Sequence, residues 1–369
     1  MTRRRPLRGV RLVVLGLGSL VLVSTLAVAA LLVAVAPPVQ GFRPAAWTPP
    51  AAFAVEAGSR RPTEAAAMST QSLHGPEDLA VDPDGRLYTG DRDGRILRIG
   101  PDGHAQVFAN VGGRPLGLAF DQQGNLLVAN HGLGLQSVTP DGAVRVLAAE
   151  AAGRRILFAN DLVIGADGRV WFTDSSARYN TTTLGDSASY LLPDFIDGRP
   201  TGRLLVYDPS SDTTSQVLDE LYFPNGLPFP AHGRTLWIAE SNRYRILEHD
   251  LATGDTTVLR DALPGVPDGI NLDPNGAMLV ALYDRSQALD RLALPTTLGR
   301  QLMIRLPSSV FVNEDDPLTG GVLVLEPDGR VRHWHTGLSP AATNVVPADG
   351  RWYLGALLGQ PVRVMAAPR

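Results

Sequence analysis

The apolar positions of this chain fall into short runs separated by turns that contain glycine. Six stretches repeat one order: a short apolar strand, a glycine turn, a strand rich in β-branched or aromatic residues, a second turn and usually a third strand. They begin GPEDLAVDPDG, RPLGLAFDQQG, FANDLVIGADG, FPNGLPFPAHG, VPDGINLDPNG and ATNVVPADG. Asp-Gly and Asn-Gly between apolar runs are strong signals for β-hairpins. The pattern therefore predicts an all-β protein built from repeated small sheets.

The number and spacing of the repeats predict the architecture. Six units of roughly 40 residues, between residues 68 and 369, are typical of a six-bladed β-propeller. Two insertions interrupt the repeats, near residues 177–200 and 284–320. The first is rich in Thr, Ser and Gly. The second begins with apolar residues near helical spacing (Tyr283 to Pro307), which predicts either a helix on an outer face or a lid over the site.

The amino terminus has a different pattern. The first eleven residues, MTRRRPLRGVR, hold five arginines and no acid, and an uncharged apolar run follows from Leu12 to Ala36. A run of about 25 residues is long enough to cross a bilayer and longer than a signal-peptide core. Preceding arginines would keep that end in the cytoplasm. We predict a signal-anchor transmembrane helix in residues 1–36, with cleavage after Ala36 as the alternative, and a Pro/Ala-rich linker over residues 37–67.

Charge and composition narrow the location and the partners. The chain has 33 basic and 37 acidic residues, and without the five amino-terminal arginines 28 basic residues remain against 37 acidic ones, a net charge of −9. No basic stripe remains, which argues against nucleic acid as a partner. The expected location of the propeller is extracytoplasmic, periplasmic or on the cell surface. The absence of lysine and the many alanines favour a bacterial source with a GC-rich genome. The oligomeric state is left open.

Aligning the six units on their glycine turns reveals a column of polar residues. It occupies the start of each unit's first strand, and five of its six members carry a side-chain oxygen: Glu77, Leu116, Asn160, Asn225, Asp268 and Asn344. The first strands of a propeller line its central channel, so these residues should meet at one end of it. They could cap strands beside a water-filled channel, or they could form a binding site.

The chemistry of the column favours a metal site. Two carboxylates buried together would repel each other, and buried ions without a partner cost several kcal/mol each. A hard divalent cation reverses that cost. Glu77 and Asp268 as carboxylates, with Asn160 and Asn225 as carbonyl donors, suit Ca²⁺, whereas Zn²⁺ would prefer His or Cys. The DPDG, DRDG and EPDG stretches lack EF-hand spacing and are interpreted as hairpin turns.

A family resemblance supports this hypothesis. The stretches GPEDLAVD, GRPLGLAF, FANDLVIGADGRVWFTDSS, FPNGL and PGVPDGI make the chain, from about His74 onward, similar to the strictosidine-synthase-like branch of the six-bladed propellers. Within that branch it resembles the adipocyte plasma membrane-associated proteins, with regucalcin/gluconolactonases and paraoxonases as more distant relatives. The resemblance implies a catalytic Ca²⁺ held by the four ligands named above.

The resemblance also implies roles for further residues. Asp78 and Asp161 match acids that bind a second, structural Ca²⁺ in paraoxonases, although Asp161 could instead cap a strand. LLVANH resembles a paraoxonase histidine motif and would place His131 on a loop beside the channel mouth. The catalytic Glu of strictosidine synthase aligns with Asn344, and an amide does not shuttle protons, so synthase activity is not expected.

These observations predict a Ca²⁺-dependent hydrolase that acts on a small-molecule ester or lactone. The metal would polarise the carbonyl, and a general base is needed because calcium acidifies water poorly. Asp268 and His131 are the candidate bases. Six residues are expected to shape the substrate pocket unless they are ordinary loop residues: Leu116, Ser175, Tyr179, Ser241, Tyr283 and Asn344. The alternative is a propeller that binds a ligand or protein and carries a structural calcium.

Overall fold

The computed structural model describes residues 26–69, 71, 73–180, 191–307, 319–340, 342–357 and 359–368. The described residues form six small antiparallel sheets, which are arranged as the blades of a propeller. This confirms the prediction of an all-β six-bladed fold. Apolar layers lie between neighbouring blades, as where Tyr88 and Ile96 of the first blade pack against Leu118 and Val128 of the second.

The strands of each blade are given from the channel outward. Blade 1 contains Leu79–Val81, Leu87–Gly90, Arg95–Ile99 and Ala105–Asn110; blade 2 contains Arg114–Phe120, Leu126–His131, Gly134–Val138 and Val144–Ala148; blade 3 contains Ala159–Ile164, Val170–Asp174, Gly202–Asp208 and Thr213–Leu221. Blade 4 contains Thr235–Glu240, Arg245–Asp250 and Thr256–Arg260; blade 5 contains Gly265–Leu272, Met278–Asp284, Thr319–Leu325 and Val331–Pro340; blade 6 contains Ala342–Ala348, Arg351–Ala356, Arg363–Ala366 and Ala66–Ala67. The segment inside blade 4 pairs with it through hydrogen bonds such as Asn225 N to Ala239 O, 2.9 Å.

The hairpin turns follow from their sequence. In DPDG the Asp82 carboxylate accepts hydrogen bonds from the amides of Asp84 (3.0 Å) and Arg86 (2.8 Å). Gly85 has a φ of +78°, a conformation that favours glycine, and its amide donates to Asp82 O at 2.9 Å. The interpretation of this stretch as a hairpin turn is therefore confirmed.

The amino-terminal segment closes the ring of blades. Ala66–Ala67 pairs antiparallel with Arg363–Ala366 in blade 6, and Arg60–Pro62 pairs parallel with Val331–Pro340 in blade 5. This pairing covers the outer edges of both blades, which would otherwise be open to other chains.

The stretch predicted as a linker is in contact with the propeller over much of its length. Phe42 and Val55 are buried, and Trp47 and Phe53 pack against the core around blades 4 and 5. Backbone amides add to this packing, with Trp47 N donating to Leu294 O at 3.0 Å. Scattered apolar residues thus hold residues 42–67 on the folded domain despite the Pro/Ala-rich composition.

The predicted membrane anchor is described only in part. Residues 26–34 are helical, and residues 1–25 lie outside the described part of the chain. Among the residues that are described, no helix is both long and apolar enough to span a bilayer.

Both insertions contribute short helices. The first carries Leu191–Asp197, and the second carries the π-helix Leu289–Ala293 and the α-helix Thr297–Met303. The buried guanidinium of Arg300 joins them, because its Nη1 donates to the carbonyls of Phe195 (3.0 Å) and Ile196 (2.6 Å). Helical spacing in the second insertion was therefore a correct indication of helix.

Candidate active site at the channel mouth

The innermost strands are irregular where they reach the channel mouth. Pairing with the second strand shifts register at residues 115–117, 159–162, 267–270 and 342–345. Such β-bulges re-aim side chains. Each shift spans one position of the polar column, which explains how adjacent residues such as Asn160 and Asp161 both reach the channel.

The column residues converge on one cavity. Its lining consists of Glu77, Asp78, Leu116, Gly117, Asn160, Asp161, Asn225, Asp268, Gly269, Thr343 and Asn344. All six column residues are among them, together with the two acids that were considered for a second ion.

Close approach of neighbouring blades narrows this mouth. A side chain on Gly117 would lie 2.7 Å from Asn160 O, and one on Gly226 would lie 2.3 Å from Ile270 N. Only glycine lets the backbones of adjacent innermost strands meet this closely. The polar side chains are thereby brought together within a small space.

Two serines hold the amides of the asparagines. Asn160 Nδ2 donates to Ser175 Oγ at 2.9 Å, and Ser175 Oγ donates to Pro224 O at 2.6 Å. One blade further on, Asn225 Nδ2 lies 3.4 Å from Ser241 Oγ. Ser241 Oγ in turn donates to the carbonyl of Pro267 at 2.6 Å. Because the amide nitrogens are engaged, each Oδ1 remains available to a cation. Ser175 and Ser241, predicted as pocket residues, are buried and position the asparagines.

The two carboxylates of the predicted ligand set have different partners. Glu77 Oε2 accepts a hydrogen bond from Arg114 Nη2 at 2.6 Å in a largely buried ion pair. Asp268 Oδ1 accepts from Asn225 Nδ2. Sequence reasoning did not identify Arg114, because its role depends on a contact with a residue 37 positions earlier.

Electrostatics at the mouth favour a bound cation. Burial, and next the charge of Glu77, raise the pKa of Asp268 well above its usual value. Burial and the charge of Asp161 do the same to Asp78. Burial, with a contribution from Glu77, raises the pKa of Asp161 to about 7. These acids are therefore destabilised as anions by their surroundings, and a divalent cation would remove that cost.

The predicted ligands suit a hard cation because both the carboxylates and the asparagine amides supply oxygen donors. Within the described residues, no group of three or more His, Cys, Asp or Glu side chains is arranged to hold a metal ion. The predicted set has only two carboxylates, so the Asn160 and Asn225 carbonyls must complete it. Four oxygen donors without nitrogen or sulfur fit Ca²⁺ and do not fit Zn²⁺.

The carboxylates of Asp78 and Asp161 accept hydrogen bonds from backbone amides, as strand-capping side chains do. Asp78 accepts from the amides of Leu79 and Leu118, both at 2.7 Å, and Asp161 accepts from Leu162 N at 2.7 Å. Asn344 donates to Asp78, while its own Oδ1 accepts from Asn271 Nδ2 at 2.8 Å. Asn344 therefore lines the cavity with an amide already engaged on both sides.

His131 lies in a more buried place than the sequence suggested. It is the last residue of the strand Leu126–His131, not a loop residue, and it stacks on Phe158 with ring centroids 3.9 Å apart. Burial, and next the charge of Arg114, lower its pKa to about 3. The imidazole is therefore neutral at physiological pH.

The two predicted pocket tyrosines have separate surroundings. Tyr179 is fully buried in an apolar cluster with Leu116, Phe158 and Phe223. The pKa of Tyr283 is raised well above its usual value by burial and by the charges of Asp268 and Glu77. Tyr283 thus lies within electrostatic range of the cavity, with its hydroxyl held in the protonated form.

Together, the fold and this site define a class: six-bladed propellers with a ring of oxygen-bearing side chains at one end of the channel. Solved structures with a similar fold include a gluconolactonase from Xanthomonas campestris (TM-score 0.61, 22% identity, covering 88% of this chain and 98% of that one). A calcium-binding protein, regucalcin, from Agrobacterium tumefaciens is similar as well (TM-score 0.57, 15% identity, covering 84% and 95%). At these identities the likeness establishes the fold.

The family follows from sequence. The model described as SMP-30/Gluconolactonase/LRE-like region matches residues 92–311, and the one described as strictosidine synthase-like, N-terminal, matches residues 63–99. Protein STRICTOSIDINE SYNTHASE-LIKE 4 of Arabidopsis thaliana is 29% identical over 78% of this chain and 77% of its own length. The adipocyte plasma membrane-associated protein of Danio rerio is 31% identical over 79% and 75%. The chain belongs to the SMP-30/gluconolactonase/LRE-like family, in its strictosidine synthase-like branch.

Proposed function

We propose that the protein is a membrane-anchored hydrolase of small esters or lactones that depends on Ca²⁺ at the channel mouth. Glu77, Asn160, Asn225 and Asp268 are the proposed ligands. One observation carries the proposal: these oxygen-bearing side chains come from four blades and line one cavity, in which the buried acids outnumber the one close arginine, Arg114. Bound Ca²⁺ would polarise the substrate carbonyl and stabilise the developing oxyanion.

The side chains of the site have distinct roles in this proposal. Asp268 is the general base, taking a proton from the attacking water at Oδ2, because Oδ1 already accepts from Asn225. His131 is a poor base, since its pKa of about 3 leaves little affinity for a proton. It is fully buried and stacks on Phe158 instead. Tyr283 has no role in this proposal, because it lines a separate cavity with Leu282 and Trp334 and not the cavity that holds the proposed ligands.

The relatives support the reaction class and the ion. A gluconolactonase and a calcium-binding regucalcin share the fold, and the family carries the gluconolactonase name. Strictosidine synthase activity is not part of the proposal, because the amide of Asn344 does not act as an acid or base as a carboxylate does. The amino-terminal arginines and apolar run support a single-pass anchor with the propeller outside the cytoplasm.

The test is hydrolysis with and without a calcium chelator. Full-length protein is assayed on aryl acetates and on a panel of lactones that includes gluconolactone. We expect chelation to abolish turnover and calcium to restore it. Asp268→Asn should lower kcat/KM by about 100-fold or more. Asp102→Asn, an exposed hairpin residue away from the channel, is the matched control and should leave kcat/KM unchanged.

Two other outcomes are informative. If chelation lowers the melting temperature while no substrate turns over, the protein is a binding propeller with a structural calcium. If neither turnover nor melting temperature responds to chelation, the metal proposal is wrong. Protease accessibility of the propeller in spheroplasts, whose inner membrane is intact and exposed, tests the extracytoplasmic location, because a cytoplasmic domain would be protected.

A further inference from the structure

Two equivalent segments hold the proposed asparagine ligands. Ser175 is the first residue after the second strand of blade 3, and its Oγ accepts from Asn160 Nδ2 at 2.9 Å. Ser241 is the first residue after the strand Thr235–Glu240 of blade 4, and its Oγ lies 3.4 Å from Asn225 Nδ2. The direction of each asparagine carbonyl therefore depends on where the segment after the strand is held.

The next residue of both segments is held by one buried carboxylate. Ser176 Oγ donates to Asp194 Oδ2, and Asn242 Nδ2 donates to Asp194 Oδ1 at 2.6 Å. Asp194 belongs to the helix Leu191–Asp197 of the first insertion, and none of these three side chains is more than 4% exposed. One side chain of the insertion therefore joins blade 3 to blade 4, at the residues that directly follow the two serines.

The hydroxyl of Ser176 is directed to this carboxylate by its other contacts. Ser176 Oγ accepts from the amides of Arg178 at 3.2 Å and Tyr179 at 3.0 Å, so its own proton is given to Asp194. Burial, with a smaller contribution from the charge of Asp197, raises the pKa of Asp194 to about 7. Burying this acid therefore costs stability, and acids with such shifts are concentrated at functional sites.

We infer that Asp194 is a positioning residue for the calcium site, because it fixes the two segments that orient the asparagine ligands. The inference rests on the proposed function and deepens it. Calcium is bound by oxygens at about 2.3–2.6 Å, so a shift of about 1 Å in either segment would withdraw a ligand. Asp194 acts through Ser176 and Asn242, whose chain neighbours hold the asparagine amides.

The test measures the Kd for calcium by titration calorimetry on the full-length protein at pH 8, where the Asp194 carboxyl is largely ionised. Asp194→Ala removes both hydrogen bonds and should raise the Kd about tenfold or more. Asp194→Asn should keep the Kd close to that of the wild type. Its Oδ1 can accept from Ser176, and its Nδ2 can donate to Asn242 once that amide turns over. Both variants lose the charge of Asp194, so rescue by asparagine separates positioning from attraction between charges.

Asp197→Ala is the matched control. Asp197 lies on the same helix, is 1% exposed and pairs with Arg178 and Arg199, so its loss loosens the helix without removing the contacts of Asp194. It should leave the Kd unchanged. An unchanged Kd in Asp194→Ala, or an equal loss of affinity in Asp194→Ala and Asp197→Ala, overturns the inference.

Single-contact variants keep the inference testable if Asp194→Ala does not fold, which thermal unfolding shows. Ser176→Ala and Asn242→Ala each remove one of the two hydrogen bonds to Asp194. Each should weaken calcium binding, and by less than the loss expected for Asp194→Ala. If both bind calcium as tightly as the wild type, Asp194 does not position the ligands.

Ester and lactone hydrolysis by the same proteins separates this inference from the hydrolase proposal. If calcium affinity follows the expected order but no substrate turns over, the hydrolase proposal fails and the role of Asp194 stands. If hydrolysis depends on calcium but the Kd does not respond to Asp194→Ala, the role of Asp194 fails and the hydrolase proposal stands. If the wild type binds no calcium, both fail.

Discussion

Aspartates in the hairpin turns at the rim of this propeller and aspartates at the mouth of its channel have surroundings that act on them in opposite ways. At the rim, Asp82 is partly desolvated, which raises its pKa, but hydrogen bonds from the Arg86 amide and guanidinium outweigh burial and lower the pKa. At the mouth, burial dominates, and the neighbouring acids raise the pKa values of Asp78 and Asp268.

This difference in the pKa shifts indicates which of the two regions requires a bound cation. The carboxylate of Asp82 at the rim has its hydrogen-bond partners and its counter-charge within the protein, because it accepts from amides of its own turn and from the Arg86 guanidinium, 2.6 Å away. The mouth has several acids and one close arginine, Arg114, which pairs with Glu77. Abundance of Asp in the sequence is therefore a poor indicator of a cation site, and unbalanced buried charge is a better one.

The largest expected effect is the response of stability to calcium. Calcium at 100 times its Kd should raise the free energy of unfolding by about 2.7 kcal/mol. Asp82→Asn should keep this gain, whereas Asp268→Asn should lose most of it, because only Asp268 is a proposed ligand. Thermal unfolding with calcium and with chelator measures both. An equal gain in the two variants would remove the distinction between rim and mouth.

In calcium-free protein, replacing an aspartate by asparagine should change the free energy of unfolding by a smaller amount. The sign of this change should be opposite in the two regions. At pH 8 Asp161→Asn should raise the free energy of unfolding by at least about 1 kcal/mol, since it removes a buried charge that its neighbours repel. Asp82→Asn should lower that free energy by about 1 kcal/mol, because it weakens charge-assisted hydrogen bonds. Denaturant unfolding of both variants checks the signs. Destabilisation by Asp161→Asn would contradict the proposed charge imbalance.

The third expected effect, again of opposite sign in the two regions, is the dependence of stability on pH. The pKa of Asp161 is raised in the folded state, to about 7, above its unfolded value near 4. Its contribution to stability is therefore greatest in acid and is lost as the pH rises through about 7. The contribution of Asp82 to stability depends on pH in the opposite direction, because its pKa is lowered: this contribution is lost as the pH falls through that pKa. Calcium-free protein should lose stability between pH 5 and pH 8, and a pH series with saturating calcium should show a smaller loss.

Much of the site was predictable because the column residues occupy equivalent positions in repeated units. Once the blades are aligned on their glycine turns, Glu77, Asn160 and Asp268 must lie near the same end of the channel. The role of Arg114 was not predictable, because nothing local marks it as the partner of Glu77. The burial of His131 was missed for the same reason, since its stacking partner Phe158 belongs to the next blade.

The sequence alone determined the blade repeat and the turn chemistry, because each depends on residues within a few positions of one another. It also determined the column of oxygen donors, because these residues occupy equivalent positions in the repeated units. Tertiary structure decided three other features: the charge balance at the mouth, the closure of the ring by Ala66–Ala67, and the joining of blades 3 and 4 by Asp194. These depend on contacts between residues far apart in the chain. Local patterns of polarity specify which faces are buried, but they do not specify which distant faces meet.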